Sequence, residues 1–234
     1  MSDMSSHPSV PTIQACKNCG GGAPVDVHFC PQCTKILSLG RHGDYFSFFG
    51  LPRKLNLDAA DLEQRFRALS RQFHPDYFFN AEPAERRASL ERSSYLNDGY
   101  RTLRQPIARA EYLLQLEGLA ARGPEEAAKQ VPPALLEEVF ALNEELDEVR
   151  ELRAGGAPAE EWTARLERAR GPIENKRLEH EQQVESLSAQ WDALLDTNAT
   201  QDDRRAVLLA LRDRVLERNY ITNLLAGIER ELAQ

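Results

Sequence analysis

The sequence predicts a mainly α-helical protein in three parts: a small N-terminal four-cysteine module, a helical hairpin in the middle and a C-terminal three-helix bundle. Three observations predict this. Of the 234 residues, 28% are charged and only 7% are aromatic, which favours amphipathic helices over a sandwich of aromatic strands. Apolar residues recur at intervals of three and four through the middle and C-terminal parts. All four cysteines lie within residues 16–33.

The four cysteines form the pattern C-x2-C-x10-C-x2-C, at Cys16, Cys19, Cys30 and Cys33. Two intervening residues let one tight turn present both sulfurs to a single ion, and two such turns complete a tetrahedral site. We therefore expect structural zinc in a module that folds only with its ion. Iron in the same cage, two disulfides, or free thiols in an unfolded tail remain alternatives. His28 is interpreted as a surface residue, since four sulfurs saturate the ion.

The next segment is predicted to form an amphipathic helix that begins near Asp58. Its apolar stripe consists of Leu62, Phe66, Leu69 and Phe73. Arg67 and Arg71 fall together on the opposite side, so this helix presents a basic face to solvent. Such a pair is usually only a solvated surface.

A rigid turn, His74-Pro75-Asp76, follows this helix. Pro75 stops the helix and displays the two flanking polar side chains. A second helix is predicted from about residue 83 to residue 103. The tripeptide alone has low specificity, because a histidine before a proline is more often a plain helix-end residue.

Three segments around this turn resemble the J-domain of the DnaJ family: Asp44–Leu51, Phe66–Asp76 and Leu96–Leu103. The resemblance covers residues 44 to about 112. It implies a helical hairpin that docks on an ATP-bound chaperone of the DnaK class and stimulates ATP hydrolysis by that chaperone. The J-domain itself binds no nucleotide.

The resemblance also implies roles for individual residues. His74, Pro75 and Asp76 would form the stimulating loop, and Arg67 and Arg71 the basic docking face. In most J-domains a basic residue follows the aspartate, whereas this chain has a tyrosine there. That departure points to a specialised branch of the family.

The branch is indicated by further segments that are similar to HscB, the iron–sulfur cluster co-chaperone: Leu103–Leu114, Asp44–Pro52 and Asn143–Glu148. This resemblance implies two partners, an HscA- or DnaK-type ATPase chaperone and an IscU-type scaffold protein. A weak homodimer is left open. The chain is expected in the cytoplasm of a bacterium or in the mitochondrial matrix of a eukaryote.

The C-terminal half carries the acidity of the chain and is predicted to form three long helices. Residues 118–234 hold 24 acidic and 15 basic residues, against a formal net charge of −8 for the whole sequence. The predicted helices are Pro132–Arg153, roughly 158–195 and Asp202–Leu232. The predicted domain limits are 1–40 for the metal module, 41–117 for the J-domain, 118–133 for a linker and 134–234 for the bundle.

Two apolar pairs in the bundle lie away from the predicted packing stripes: Leu136 with Phe140, and Leu216 with Tyr220. Periodicity alone leaves open whether they pack within the protein or contact a partner. The HscB resemblance places Leu136, Phe140 and Tyr220 in an apolar patch that binds the scaffold, with Glu144 as a polar contact at its rim. His180 is interpreted as a surface residue.

Several function classes are disfavoured by the sequence. We find no Walker loop, dinucleotide fingerprint or nucleophile elbow, so we assign no catalytic residues and do not expect an enzyme. The acidic charge disfavours nucleic acid, and no run of about 18 apolar residues suits a membrane. A general DnaJ-like co-chaperone for unfolded clients, a zinc-ribbon regulator of nucleic acid, and a redox or cluster function of the thiolates remain rivals.

Overall fold

The computed structural model describes residues 13–25, 27–39, 43–120, 133–197 and 199–233, without the side chains of 133–136 and 138. The chain divides into two compact units. The first comprises Met1–Arg53 and Leu57–Pro106, and the second comprises Lys54–Asn56 and Ile107–Gln234. Helices dominate both the J-domain region and the C-terminal region, so the predicted fold class is confirmed.

The N-terminal part of the first unit is a small module built around the cysteines. Strand β1 (Ile13–Ala15) pairs antiparallel with β2 (Gly22–Pro24), so the hairpin turn contains the first cysteine pair. A single bridge between Phe29 and Ile36 brackets the second pair. The core of the module contains Cys16, Ala23, Cys30 and Leu37.

The rest of the first unit is helical. Its elements are α1 (Tyr45–Phe48), α2 (Ala59–Phe73), a 3-10 turn (Pro75–Phe78) and α3 (Pro83–Arg104). Asp44 begins α1 with a capping box, and Asp58 caps α2 by accepting from the amide of Ala60. The predicted helices therefore lie where the sequence places them.

The second unit contains four helices among the described residues. They are α4 (Pro106–Leu116), α5 (Pro133–Ala154), α6 (Ala159–Asp196) and α7 (Gln201–Leu232). A capping box of Thr200 and Asp203 starts α7, and Gly156, with φ of +79°, ends α5. The predicted limits of the bundle helices agree to within two residues. Most of the predicted linker, residues 121–132, lies outside the described residues.

Two apolar clusters hold the second unit together. One joins α4, α6 and α7 through Leu55, Ala110, Leu113, Leu114, Val184, Trp191, Leu208, Leu211 and Val215. The other joins α5, α6 and α7 through Leu142, Leu146, Val149, Leu166, Ile173, Ile221, Leu224 and Ile228. Among the described residues, the structure has no helix long and apolar enough to cross a membrane.

One prediction about the bundle is wrong, and one alternative that periodicity left open is decided. His180 is buried rather than exposed, and its Nε2 lies 2.6 Å from the carbonyl oxygen of Arg214 on α7. Leu216, predicted to lie off the packing stripe, is also buried. Helix α7 contributes to both apolar clusters, so its buried face is wider than a single stripe.

Candidate functional site

The four cysteines of the N-terminal module lie together, with all four Sγ atoms within 4.8 Å of one another. The Sγ atoms of Cys16 and Cys33 are 3.7 Å apart, as are those of Cys19 and Cys30. A disulfide bond needs about 2.05 Å, so the disulfide alternative is wrong. With metal–sulfur bonds of about 2.3 Å, the edge of a tetrahedral site is about 3.8 Å. The thiols therefore fit a tetrahedral metal centre.

The two cysteine turns share one backbone conformation. In each, the amide of the first cysteine donates to the carbonyl five residues later, and the amide four residues later donates back to the cysteine carbonyl, at 2.8–2.9 Å. Gly20 and Thr34 occupy the equivalent left-handed position, with φ of +73° and +59°. This repeated turn aims both sulfurs of each pair at one point.

The surroundings of the thiols move their pKa values apart. The side chain of Asn18 and the amide of Lys35 lower the pKa of Cys33 to about 6. The amide of Gly21 lowers the pKa of Cys19, but the neighbouring thiols, led by Cys33, and burial outweigh it and raise that pKa to about 11. The two thiols therefore differ in acidity, and a metal ion bound by all four sulfurs would displace the protons that remain on the thiols.

His28 is half-buried, which corrects its interpretation as a surface residue. Its ring packs edge-on against Phe48 and Phe73, with centroids 4.8 and 4.9 Å away. Its Nδ1 lies 2.7 Å from Nη1 of Arg92. His28 thus packs on the helical part of the first unit, close to the end of α2, and only part of its surface is exposed.

Arg92 is a buried residue that the sequence analysis missed. Its relative exposure is only 2%, and burial lowers its pKa to about 10, so the guanidinium is still charged at neutral pH. The sequence did contain a signal that Arg92 is buried, because Arg92 lies on the same stripe of α3 as Leu96, Gly99 and Leu103. A charged side chain on a buried stripe requires partners.

The His74-Pro75-Asp76 loop is exposed at the C-terminal end of α2. His74 ends the helix, and its Nδ1 accepts a hydrogen bond from the amide of Asp76 at 3.3 Å. Both polar side chains of the loop are open to solvent, as are the aromatic rings of Tyr77 and Phe79 that follow. The loop is therefore a shaped, accessible turn.

The residue that precedes the loop is fully buried. The carbonyl oxygen of Phe73 accepts hydrogen bonds from the hydroxyls of Ser89 and Ser93 on α3, at 2.7 and 2.8 Å. These bonds satisfy a carbonyl that the end of a helix would leave unpaired. The base of the loop is thus fastened to α3.

The arginines of α2 differ in what they contact: Arg65 bonds to the protein, whereas Arg67 and Arg71 are exposed. Arg65 donates to the carbonyl oxygens of Phe49 and Gly50 at 3.1 Å and so ties α2 to the turn after α1. Arg67 and Arg71 are exposed, although Arg67 also pairs with Glu63 one turn earlier. The predicted basic face is therefore accessible.

The apolar patch predicted on the bundle is partly present. Phe140 is 67% exposed and Glu144 is also exposed, whereas Tyr220 is half-buried. The side chain of Leu136 lies outside the described residues. Leu216 belongs to the core and is not part of this surface.

Helices α5 and α7 run parallel, since Leu146 lies beside Gly227 and Arg150 pairs with Glu231 further along both helices. This brings the exposed Phe140 and the half-buried Tyr220 to one level. Arg150 on α5 donates to Glu231 on α7 at 2.8 Å, an offset of 81 residues. The same offset places Tyr220 level with Val139, which neighbours Phe140 in the sequence. Phe140 and Tyr220 thus lie at the same height along two neighbouring helices.

No protein-family model matches the chain. Two solved structures are similar to it. Human co-chaperone protein HscB is 28% identical with a TM-score of 0.67, over 93% of this chain and 98% of the human chain. The chaperone HscB from Vibrio cholerae is 29% identical with a TM-score of 0.58, over 80% of this chain and 96% of that chain. The predicted resemblance to HscB is therefore confirmed over most of the chain.

Proposed function

We propose that this chain, which has the HscB fold, is a J-domain co-chaperone in iron–sulfur cluster biogenesis. Its bundle binds an IscU-type scaffold, and its J-domain stimulates the ATPase of an HscA- or DnaK-type chaperone. ATP turnover in that chaperone then promotes cluster transfer. Carrying the scaffold and recruiting the ATPase on one chain raises the effective concentration of one for the other. The chain itself holds no catalytic residue in this proposal.

The observation that carries the proposal is the exposed turn at the end of α2. His74 and Asp76 are open to solvent, while Phe73 immediately before them is buried and bonded through its carbonyl. A rigid base under two exposed polar side chains suits a docking loop, because little conformational entropy is lost on binding.

The proposed loop role predicts that His74→Gln abolishes stimulation of the chaperone ATPase and leaves scaffold binding unchanged. Arg101→Gln is the matched control, since it changes another exposed polar side chain of the same unit. ATP turnover by the chaperone is measured with each variant in excess. Wild-type stimulation by His74→Gln would exclude this loop as the stimulating element.

The proposed basic face predicts that Arg67→Ala weakens docking on the chaperone, and that Arg71→Ala weakens it further. Both residues are exposed, so the fold should be unaffected. The concentration of co-chaperone needed for half-maximal stimulation should rise most at low salt, because high salt already screens the charge contribution that the variants remove. Equal half-maximal concentrations for wild type and the double variant would exclude this face.

The proposed scaffold surface predicts that Phe140→Ala with Tyr220→Ala lowers scaffold affinity by about tenfold or more, as expected for central aromatic contacts. Leu178→Ala is the control, because Leu178 is an exposed apolar residue on another helix of the same bundle. Chaperone stimulation without scaffold should be unchanged. A chain that instead captured many unstructured peptides would be a general DnaJ-like co-chaperone.

We propose zinc as the ion of the four-cysteine module, with Cys16, Cys19, Cys30 and Cys33 as its ligands. Four thiolates at tetrahedral spacing leave no position for water, which is typical of a structural site. Metal analysis of protein purified without added metal tests this, and iron would reveal itself by colour.

Lys35 follows the last cysteine of the module and pairs with Glu85 at 2.8 Å. The local charge therefore does not favour binding of nucleic acid.

A further inference from the structure

Backbone hydrogen bonds join the two segments that flank the second cysteine turn. The amide of Cys30 donates to the carbonyl of Lys35, and the amide of Leu37 donates to the carbonyl of His28. These bonds and the bridge between Phe29 and Ile36 fix the segments on both sides of the cysteines. The positions of the His28 ring and the Leu37 carbonyl therefore follow from the fold of the metal module.

Within the described part of the chain, the hydrogen-bond partners of the Arg92 guanidinium all come from residues 28–38 of the module. Its Nε donates to the carbonyl of Leu37 at 2.8 Å, and Nη2 donates to the carbonyl of Ser38 at 3.3 Å. Its Nη1 lies 2.7 Å from Nδ1 of His28. A buried cation with such partners is stable only while the module is folded, because water cannot replace lost partners without opening the site.

Arg92 also lies against the residue on which the exposed loop is built. Its guanidinium carbon is 5.6 Å from the centroid of the Phe73 ring, within cation–π range. The hydroxyls of Ser89 and Ser93, on the same turn of α3, hold the carbonyl of Phe73. One turn of α3 thus fixes the ring and the main chain of the residue directly before His74.

We propose that the four-cysteine module acts through Arg92 to position the His74-Pro75-Asp76 loop, so that the loop is ordered only when the module is folded around its ion. Arg92 and His28 are then positioning residues. The role of this coupling between module and loop in chaperone stimulation rests on the proposed co-chaperone function. It gives the module a task in chaperone stimulation, separate from scaffold binding by the bundle.

The first test compares Arg92→Met with Arg87→Met, an exposed arginine on the same helix, both in the zinc-loaded full chain. Backbone order parameters of residues 74–79 are measured by NMR relaxation without any partner. In Arg92→Met they should fall from about 0.85 to below about 0.6, while α2 and α3 stay rigid. Arg87→Met should match wild type, and Arg92→Lys should restore part of the order because it keeps a cation over the Phe73 ring.

The second test removes the metal from wild type and from Arg92→Met. Metal removal should loosen residues 74–79 in wild type and add nothing in Arg92→Met, because both changes break one connection. Additive effects would overturn the proposal. So would an ordered loop in zinc-loaded Arg92→Met, or loss of order across α2 and α3 equal to that of the loop.

Chaperone stimulation links the loop order to function. Arg92→Met should lower maximal stimulation about tenfold, as loss of bonds to a charged group allows, with scaffold affinity unchanged. If His74→Gln left stimulation intact, the proposed function would fail, yet the order parameters would still report the coupling. If stimulation depended on His74 but not on Arg92, the coupling alone would fail.

Discussion

The two units of the molecule are stabilised in different ways. The N-terminal module of the first unit has a core that includes two of its four cysteines, and it contacts α3 through the buried Arg92. The second unit packs aliphatic side chains in two clusters. Leu166 in one cluster and Leu211 in the other are fully buried. A segment of about 25 residues cannot bury enough apolar surface to fold alone, whereas a bundle of long helices can.

This difference teaches that stability is conditional in the four-cysteine module and intrinsic in the bundle. A module that depends on an ion loses its fold when the ion is lost. A bundle whose free energy of unfolding comes from apolar burial responds instead to changes in side-chain volume. Each of the following experiments perturbs one unit and uses the other as its reference.

Metal removal should have the largest effect, and on the first unit only. Structural zinc contributes on the order of 10 kcal/mol to small zinc-dependent folds, so the four-cysteine module should unfold without its ion. Loss of its bonds to Arg92, about 1.5–3 kcal/mol, should then lower the melting temperature of the remaining helices of the first unit by about 10 °C. Scanning calorimetry with and without a strong chelator measures this. An equal fall in the transition of the second unit would remove the distinction between the two.

Leu211→Ala should destabilise the second unit by about 2–5 kcal/mol, because the side chain is fully buried and leaves a cavity. Leu178→Ala, which removes the same atoms from an exposed position, should cost less than about 0.5 kcal/mol. Urea unfolding measures both changes. The zinc affinity of the first unit should be the same in both variants, and a change in it for Leu211→Ala would mean that the units are energetically coupled.

Asp192→Ala should destabilise the second unit by about 1–3 kcal/mol, because it leaves two backbone amides without their charged acceptor. The carboxylate of Asp192 accepts from the amides of Leu55 and Asn56 at 2.6 and 2.8 Å. Asp196→Ala, one turn later, breaks only a pair with Lys54 and should cost less than about 1 kcal/mol. Equal urea midpoints for the two variants would contradict the assigned role of Asp192.

The features that were predictable from the sequence are the local ones. Helix limits follow from caps and periodicity, such as the capping box at Thr200, and the clustering of the four thiols follows from the spacing of the cysteines. Which charged side chains are buried depends on surfaces that meet only in the fold. Arg92 and His180 both lie on apolar stripes, and that position was the available signal. For His28, the sequence offers no comparable sign.

Exposure of the apolar surface was predictable only in part. Phe140 is exposed as its position off the stripe indicates, but Leu216 at a similar position is buried. The reason is that α7 packs in two clusters, so more of its circumference is covered than a single stripe allows. Periodicity in one helix cannot show how many neighbours that helix has.

The smallest predicted effects come from the left-handed positions of the two cysteine turns, where the expected signs are opposite. Gly20→Ala should weaken zinc binding about fivefold, since a side chain at φ of +73° costs about 1 kcal/mol and meets no other atom within 4 Å. Thr34→Gly removes a β-branched side chain from φ of +59° and should strengthen zinc binding by up to about threefold, offset in part by the added freedom of the unfolded chain. Competition against a chelator measures both affinities. Weaker binding by Thr34→Gly would mean that its hydroxyl, which donates to the carbonyl of Cys33 at 2.7 Å, outweighs the backbone strain.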